Sequence, residues 1–144
     1  MNASLIVKPD AIEQLTTDLQ RCDIDIAIIS ESHVKKKRVS SCINIEGYEL
    51  FRRDRNGRKG GGVVIFSRQS LAAAVWSTPG IDPVFELMRI KIPNAAATGD
   101  TFVRALYQPP APLYKTSDLL DHIEAEFSRF SRISRIHVLS LLVI

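Results

Sequence analysis

Three observations predict an α/β fold with a mixed or antiparallel sheet. Two stretches keep a helical apolar period, one near each end of the chain. The middle is a series of short strand-like runs, and each helical stretch is followed by a compact apolar run of strand type.

The elements follow in order. In PDAIEQLTTDLQRC, Ile12, Leu15 and Leu19 recur on one face, Pro9 stands where a helix can begin, and no glycine interrupts, which predicts an amphipathic helix. IDIAIIS, residues 24–30, is the β-branched kind of run that forms a strand buried on both faces. A basic loop, KKKR at 35–38, comes next. YELFRRD (48–54) and GVVIFS (62–67), separated by a polar, glycine-rich stretch, read as two antiparallel strands joined by a turn. FELMRIKI (85–92) sets Phe85, Leu87, Arg89 and Lys91 against Glu86, Met88, Ile90 and Ile92, as a strand would. TFVRALY (101–107) is another strand, ended at Gln108, Pro109 and Pro110, because the prolines have no N–H for sheet pairing. From Ser117 the helical period returns. Leu119, Leu120, Ile123, Phe127 and Phe130 form one broad apolar stripe, with Asp118, Asp121, Glu124 and Arg129 opposite. IHVLSLLVI (136–144) is then a buried strand.

With 144 residues, 45% of them hydrophobic, the chain has the size of one domain with one core. The formal net charge of +3 and pI near 9.0 suit an anionic partner but fall short of a dedicated polybasic protein. Cys22 and Cys42 form no C-x-x-C pair, which leaves neither a disulfide framework nor a zinc site and points to a reducing, intracellular compartment. No signal peptide opens the chain, and its longest apolar run is well below the roughly 18 residues that span a bilayer, so a soluble protein is expected.

RNGRKGGGVVIF, residues 55–66, poses the functional question: phosphate cradle or tight turn. No G-K-[ST] follows the glycines and no helix begins after them, which excludes a Walker loop. The glycines serve a backbone-tight turn into the strand, since glycine alone adopts positive φ freely. The flanking arginines and lysine can touch DNA phosphates without sequence preference.

Taken together, NASLIVKPDAIEQL, DIDIAIISESH, GYELFRRDRNGRKGGGVVIF and VRALYQPP resemble the endonuclease domain of animal non-LTR retrotransposons. That domain belongs to the endonuclease/exonuclease/phosphatase superfamily, with apurinic endonucleases and DNase I. The resemblance runs over nearly the whole chain, in the family's order and at about its spacing. It implies a DNase I-like β-sandwich of two sheets with outer helices, and Mg²⁺-dependent hydrolysis of DNA phosphodiester bonds.

Particular positions inherit roles from it. Glu31 matches the metal-binding glutamate, consistent with magnesium's preference for hard oxygen ligands. Asn2 matches the asparagine that supports the metal-site carboxylate or phosphate, although N-A-S-L lacks the arginine of the family's N-A-R-S-L. Tyr107 matches the tyrosine whose hydroxyl points at the scissile phosphate; its structural alternative is a core aromatic at a strand end. Arg53, Arg55, Arg58 and Lys59 lead into the glycines as in the family's R-x-D-R-x-x-x-G-G-G and are the expected nucleic-acid contacts. Asp121-His122 looks like the family's late D-H pair only as a dipeptide, and adjacent helical positions do not converge on one point. His33 is read as a loop histidine, and KKKR as a solvated loop with a nuclear address or DNA-facing patch as alternatives.

The family's G-D-F-N and S-D-H motifs, which carry the water-activating aspartate, the phosphate-orienting asparagine and the acid/base histidine, do not occur. Residues 1–144 therefore read as the first half of the domain, lacking the first strand and the C-terminal half. The expectations are a sheet left without its partner, self-association through that uncovered face, and no catalysis by the chain alone. Two further readings stay open: a non-catalytic remnant that binds DNA weakly, and a phosphatase or lipid phosphodiesterase of the same superfamily.

Overall fold

The computed structural model describes residues 9–30, 43–54, 62–76, 85–94, 99–130 and 137–143. Helix α1 (Pro9–Arg21) leads into strand β1 (Ile26–Ser30), followed by β2 (Tyr48–Arg53), β3 (Val63–Arg68), a 3₁₀ turn (Gln69–Leu71) and the short β4 (Ala74–Val75). Then come β5 (Glu86–Ile92), β6 (Thr101–Tyr107), helix α2 (Thr116–Phe130) and β7 (His137–Val143).

These strands make two sheets. The first, in the order β1-β3-β2, is antiparallel throughout. The second, in the order β4-β5-β6-β7, is antiparallel except for β7, which runs parallel to β6. A parallel neighbour cannot be reached by a hairpin, and α2 is the crossover that returns the chain to the same end of the sheet. The expected β2–β3 pair is present, with Arg53 opposite Val63 and Tyr48 opposite Arg68.

The sheets pack face to face. Phe51, Val63 and Ile65 of the first meet Met88, Ile90, Ile92, Val103, Ala105 and Tyr107 of the second, with Ile26 and Ile28 alongside. Alternation along each strand leaves a second apolar set on the outside. On the first sheet, Val64, Phe66, Ala27, Ile29 and Leu50 are covered by Ile12, Leu15 and Leu19 of α1. On the second, Phe85, Leu87 and Leu106 are covered by Leu119 and Ile123 of α2. The layers therefore run helix, sheet, sheet, helix. The sheet expected to lack its partner has one: the chain supplies strands to both sheets, and their inner faces bury each other.

α1 ends in a Schellman motif. The N–H of Ile24 bonds the carbonyl of Leu19 at 3.0 Å, and that of Asp23 bonds Gln20 at 3.3 Å. Asp23 takes the left-handed conformation (φ 50°) usually given to glycine, and its carboxylate receives Arg68 at 2.6 Å. Arg68 also meets Asp25 at 2.9 Å, tying the helix exit to the end of β3.

α2 departs from the predicted stripe. Leu119 is buried and Ile123 packs against the sheet, but Leu120 is 55% and Phe127 42% exposed. In their place Glu126 is buried at 5%, beneath the helix. The cause lies in the sheet, where Arg89 and Arg104 are opposed across β5 and β6, each 4% exposed. Glu126 bridges them, through Oε1 to Arg89 and through Oε2 to Arg104 Nη2 at 2.7 Å. Trp76 lies against the Arg89 guanidinium at 5.6 Å, and Phe127 against that of Arg104 at 5.2 Å. His122 Nε2 is 3.2 Å from Arg89 Nη2. The same nitrogen is 3.5 Å from Glu126 Oε1. Burial lowers both arginine pKa values from their ordinary range, Glu126 opposes the shift, and Arg104 adds to it at Arg89.

Removing one member of such a cluster leaves buried charge uncompensated. Glu126→Ala is expected to cost about 3–5 kcal/mol in urea unfolding. The triple change Arg89→Met, Arg104→Leu, Glu126→Leu is expected to be neutral or stabilising by about 1–4 kcal/mol. A Glu126→Ala loss below about 1 kcal/mol would show that the arginines are hydrated rather than buried.

Candidate functional site

One end of the sandwich gathers polar groups from both sheets. In the first sheet, Ser30 ends β1 and Arg53 ends β2, and both pair with Val63 at the start of β3. In the second, Glu86 opens β5 opposite Tyr107, the last residue of β6, which in turn pairs with Val143 of β7. Strand alternation puts Ser30, Arg53, Glu86 and Tyr107 on the inner faces, in line with the inter-sheet core residues Ile28, Phe51, Met88 and Ala105.

The two sheets are bridged at this rim. The N–H of Gly62 donates to Glu86 Oε2 at 2.9 Å. Gly62 has φ +89°, a left-handed conformation that favours glycine, and it is the last glycine of the RNGRKGGG stretch before β3. On the other face of β2, Arg52 grips Asp54 through two bonds, Nε to Oδ1 at 3.0 Å and Nη2 to Oδ2 at 2.5 Å. That fork fixes the backbone just where β2 gives way to the basic stretch.

The expected site residues divide accordingly. Tyr107 is 4% exposed, with its ring in the inter-sheet core at the rim, so its packing role is real. Arg53 is half-buried on the same rim, close enough that its charge adds to the depression of the Arg89 pKa. Asn2, Glu31, Arg55, Arg58 and Lys59 lie outside the described residues, as do His33 and the KKKR loop. Two facts bear on their neighbourhood. β1 ends at Ser30, the residue before Glu31 in sequence, and the described flanks of residues 55–61 are Asp54 and Gly62.

Sequence reasoning missed Glu86. It opens an alternating strand, and its inward parity with Met88, Ile90 and Ile92 was visible. A carboxylate at the head of an otherwise apolar inner set was the available signal. Asp121 is exposed, whereas His122 turns to Arg89 and the ring of Phe85, 5.1 Å away, on the opposite side of the sheet from the rim. Among the described residues no three His, Cys, Asp or Glu side chains gather as a metal site. Glu86, already holding a backbone N–H, does not by itself supply the oxygen ligation that magnesium demands.

The architecture, two face-to-face sheets with a helix outside each, is that of about half of the endonuclease/exonuclease/phosphatase, or DNase I-like, fold. Two solved structures with this architecture are similar to nearly all of the chain. One is D. rerio TDP2 humanized by 14 mutations, with TM-score 0.54 and 10% identity over 98% of this chain. The other is D. rerio TDP2 complexed with a single strand DNA product, with TM-score 0.52 and 9% identity over 99%. The chain spans 58% and 53% of those two TDP2 chains. At such identities the likeness shows the fold alone. ANGEL2, a 2′,3′-cyclic phosphatase, matches over 67% of the chain with a TM-score of 0.44, too low to carry weight. No protein-family model matches the sequence, and no curated protein matches it either.

Two substitutions separate the ring of Tyr107 from its hydroxyl. Tyr107→Phe is expected to change unfolding free energy by no more than about 1.5 kcal/mol, since only a hydroxyl is lost. Tyr107→Ala is expected to cost about 3–5 kcal/mol by emptying a core position. Equal losses in chemical denaturation would mean that the hydroxyl, not the ring, holds the rim together.

Proposed function

We propose that the chain is the N-terminal portion of a phosphodiester-hydrolysing domain of the endonuclease/exonuclease/phosphatase superfamily, of the retrotransposon endonuclease type. The single observation that carries the reading is the rim. Tyr107 and Arg53 come from different sheets to the same inner end of the sandwich, where β1 stops one residue before Glu31. Of the motifs resembling the retrotransposon domain, the described site residues Arg53 and Tyr107 stand at strand ends on this rim, and the DNase I-like fold supports the resemblance.

In this reading Glu31 would hold Mg²⁺, which supplies charge neutralisation at the phosphate, and Asn2 would support the carboxylate. Tyr107 orients the phosphate through its hydroxyl while its ring keeps the end of the core dry. Arg53 on this edge, with Arg55, Arg58 and Lys59 that follow it in sequence, would draw the DNA backbone by charge alone. The aspartate that activates water and the acid/base histidine have no counterpart in the motifs present, so the chain by itself binds DNA weakly and does not cut it. General acid and base groups contribute roughly 10²- to 10⁴-fold each, and their loss together removes useful turnover.

Two measurements test this. Supercoiled plasmid incubated with the chain and Mg²⁺ is expected to stay intact; nicking that disappears in Glu31→Ala would overturn the inactive reading. Binding of labelled duplex DNA is expected to weaken with salt, with a slope that drops by about 0.9 for each phosphate contact removed. Arg55→Ala together with Arg58→Ala should lower that slope. An unchanged slope would sink the claim that the basic stretch meets phosphate.

A further inference from the structure

We infer that the outer flank of α2 docks a basic amphipathic helix of a partner protein, with Leu120 and Phe127 as its apolar anchors and Asp121 and Glu124 as its charge partners. The inference stands apart from the nucleic-acid reading, because α2 lies on the outer face of the second sheet and the rim residues on its inner face.

The surface follows from the rotation of α2. Leu119 and Glu126 mark the side of the helix that faces the sheet, and both are buried. Glu126 is held there by Arg89 and Arg104, so the helix cannot turn to hide other residues. Leu120 and Phe127 each follow one of the buried pair by a single residue, about 100° further round. They therefore share one line along the flank, two turns and about 10.5 Å apart. Leu120 is 55% and Phe127 42% exposed.

Exposed apolar residues scattered singly need no explanation, but a leucine and a phenylalanine seven residues apart on one line form a seam. That is the spacing at which one helix offers successive knobs to another. Phe127 is also held in place, since its ring lies against the Arg104 guanidinium at 5.2 Å. Binding need not immobilise it.

Charge selects the partner. Continuing round the flank from Leu120, Glu124 stands about 40° and Asp121 about 100° further on. Both are exposed, and neither joins an ion pair among the described residues. Between Thr116 and Ser128 the exposed carboxylates are Asp118, Asp121 and Glu124, and no lysine or arginine stands among them. This is a negative strip in a chain of net charge +3. It repels nucleic acid and anionic lipid alike. A helix with an apolar stripe flanked by lysine or arginine answers both features at once, its stripe on the seam and its cations on the carboxylates.

The probe is a synthetic peptide of about three heptads, with leucine at a and d and lysine at e and g; a control peptide carries glutamate in place of every lysine. Titrated into the 144-residue chain, the lysine peptide is expected to shift the backbone amide signals of α2 around Leu120, Glu124 and Phe127. It should bind about tenfold more tightly than the glutamate peptide, or better. Leu120→Ala changes a side chain already more than half in water, so the fold should survive while affinity for the lysine peptide drops on the order of tenfold. Asp121→Asn together with Glu124→Gln should weaken the lysine peptide by about as much and abolish its advantage over the control. Unshifted α2 amides, or equal affinity for the two peptides, would overturn the proposal. Binding that disappears with the carboxylates but ignores Leu120→Ala would be general charge attraction, and would overturn the seam. A dimer of the chain alone, dissolved by Leu120→Ala in sedimentation, would give the seam to a second copy and overturn the basic partner. Binding to phosphatidylserine vesicles instead of the peptide would overturn it in favour of a membrane.

Discussion

Two arginines face each other across adjacent strands beneath a helix, and a single glutamate answers both. Much of the second sheet's geometry follows from that charge problem. Like charges directly opposed in an antiparallel pair are unfavourable, and burial makes them more so. The helix that covers them must deliver a carboxylate between them, which fixes its rotation about its own axis. Phe127 is drawn over Arg104 and left half in water, Leu120 turns to solvent, and Leu119 and Ile123 fall onto Phe85, Leu87 and Leu106. Those last contacts lie beside the first residues of β5 and the last of β6, so the placement of α2 braces the rim where Glu86 and Tyr107 stand.

The same charges mark where the sequence stops being legible. FELMRIKI and TFVRALY were legible as strands, and the structure assigns their inner faces by parity, because a strand sorts its residues alternately to its two sides. The stripe of α1 was equally plain: Ile12, Leu15 and Leu19 all reach the sheet. The stripe of α2 failed, since apolar spacing cannot foresee that Arg89 and Arg104 will be opposed and buried. Their partner, Glu126, is one of several polar residues along the helix, and no local pattern marks it. Long-range register decides such cases, and register is not written in any local window.

The rim was half legible for a related reason. Motifs placed Tyr107 and Arg53, and both stand at strand ends on inner faces. Glu86 carries no motif, and its importance emerges only when β3 of one sheet and β5 of the other are brought together. Nor did the sequence show that one chain segment feeds both layers of the sandwich. Read from the residues alone, its runs of strands looked like one sheet, because pairing order, β1 with β3 and β6 with β7, is set by the crossing of non-local segments.

The parallel pairing of β7 with β6 carries a consequence in time as well as in space. β2 with β3, and β5 with β6, are neighbours along the chain and close short loops, which are quick and entropically cheap. β7 can find β6 only after the whole of α2 has crossed over, and α2 gains its seat only once both arginines are in register to receive Glu126. The topology thus orders assembly, with sequence-local antiparallel pairs ahead of the final strand. Substitutions in β7 should accordingly leave the folding rate alone and speed unfolding, giving φ-values near zero, while high values there would place the crossover in the nucleus.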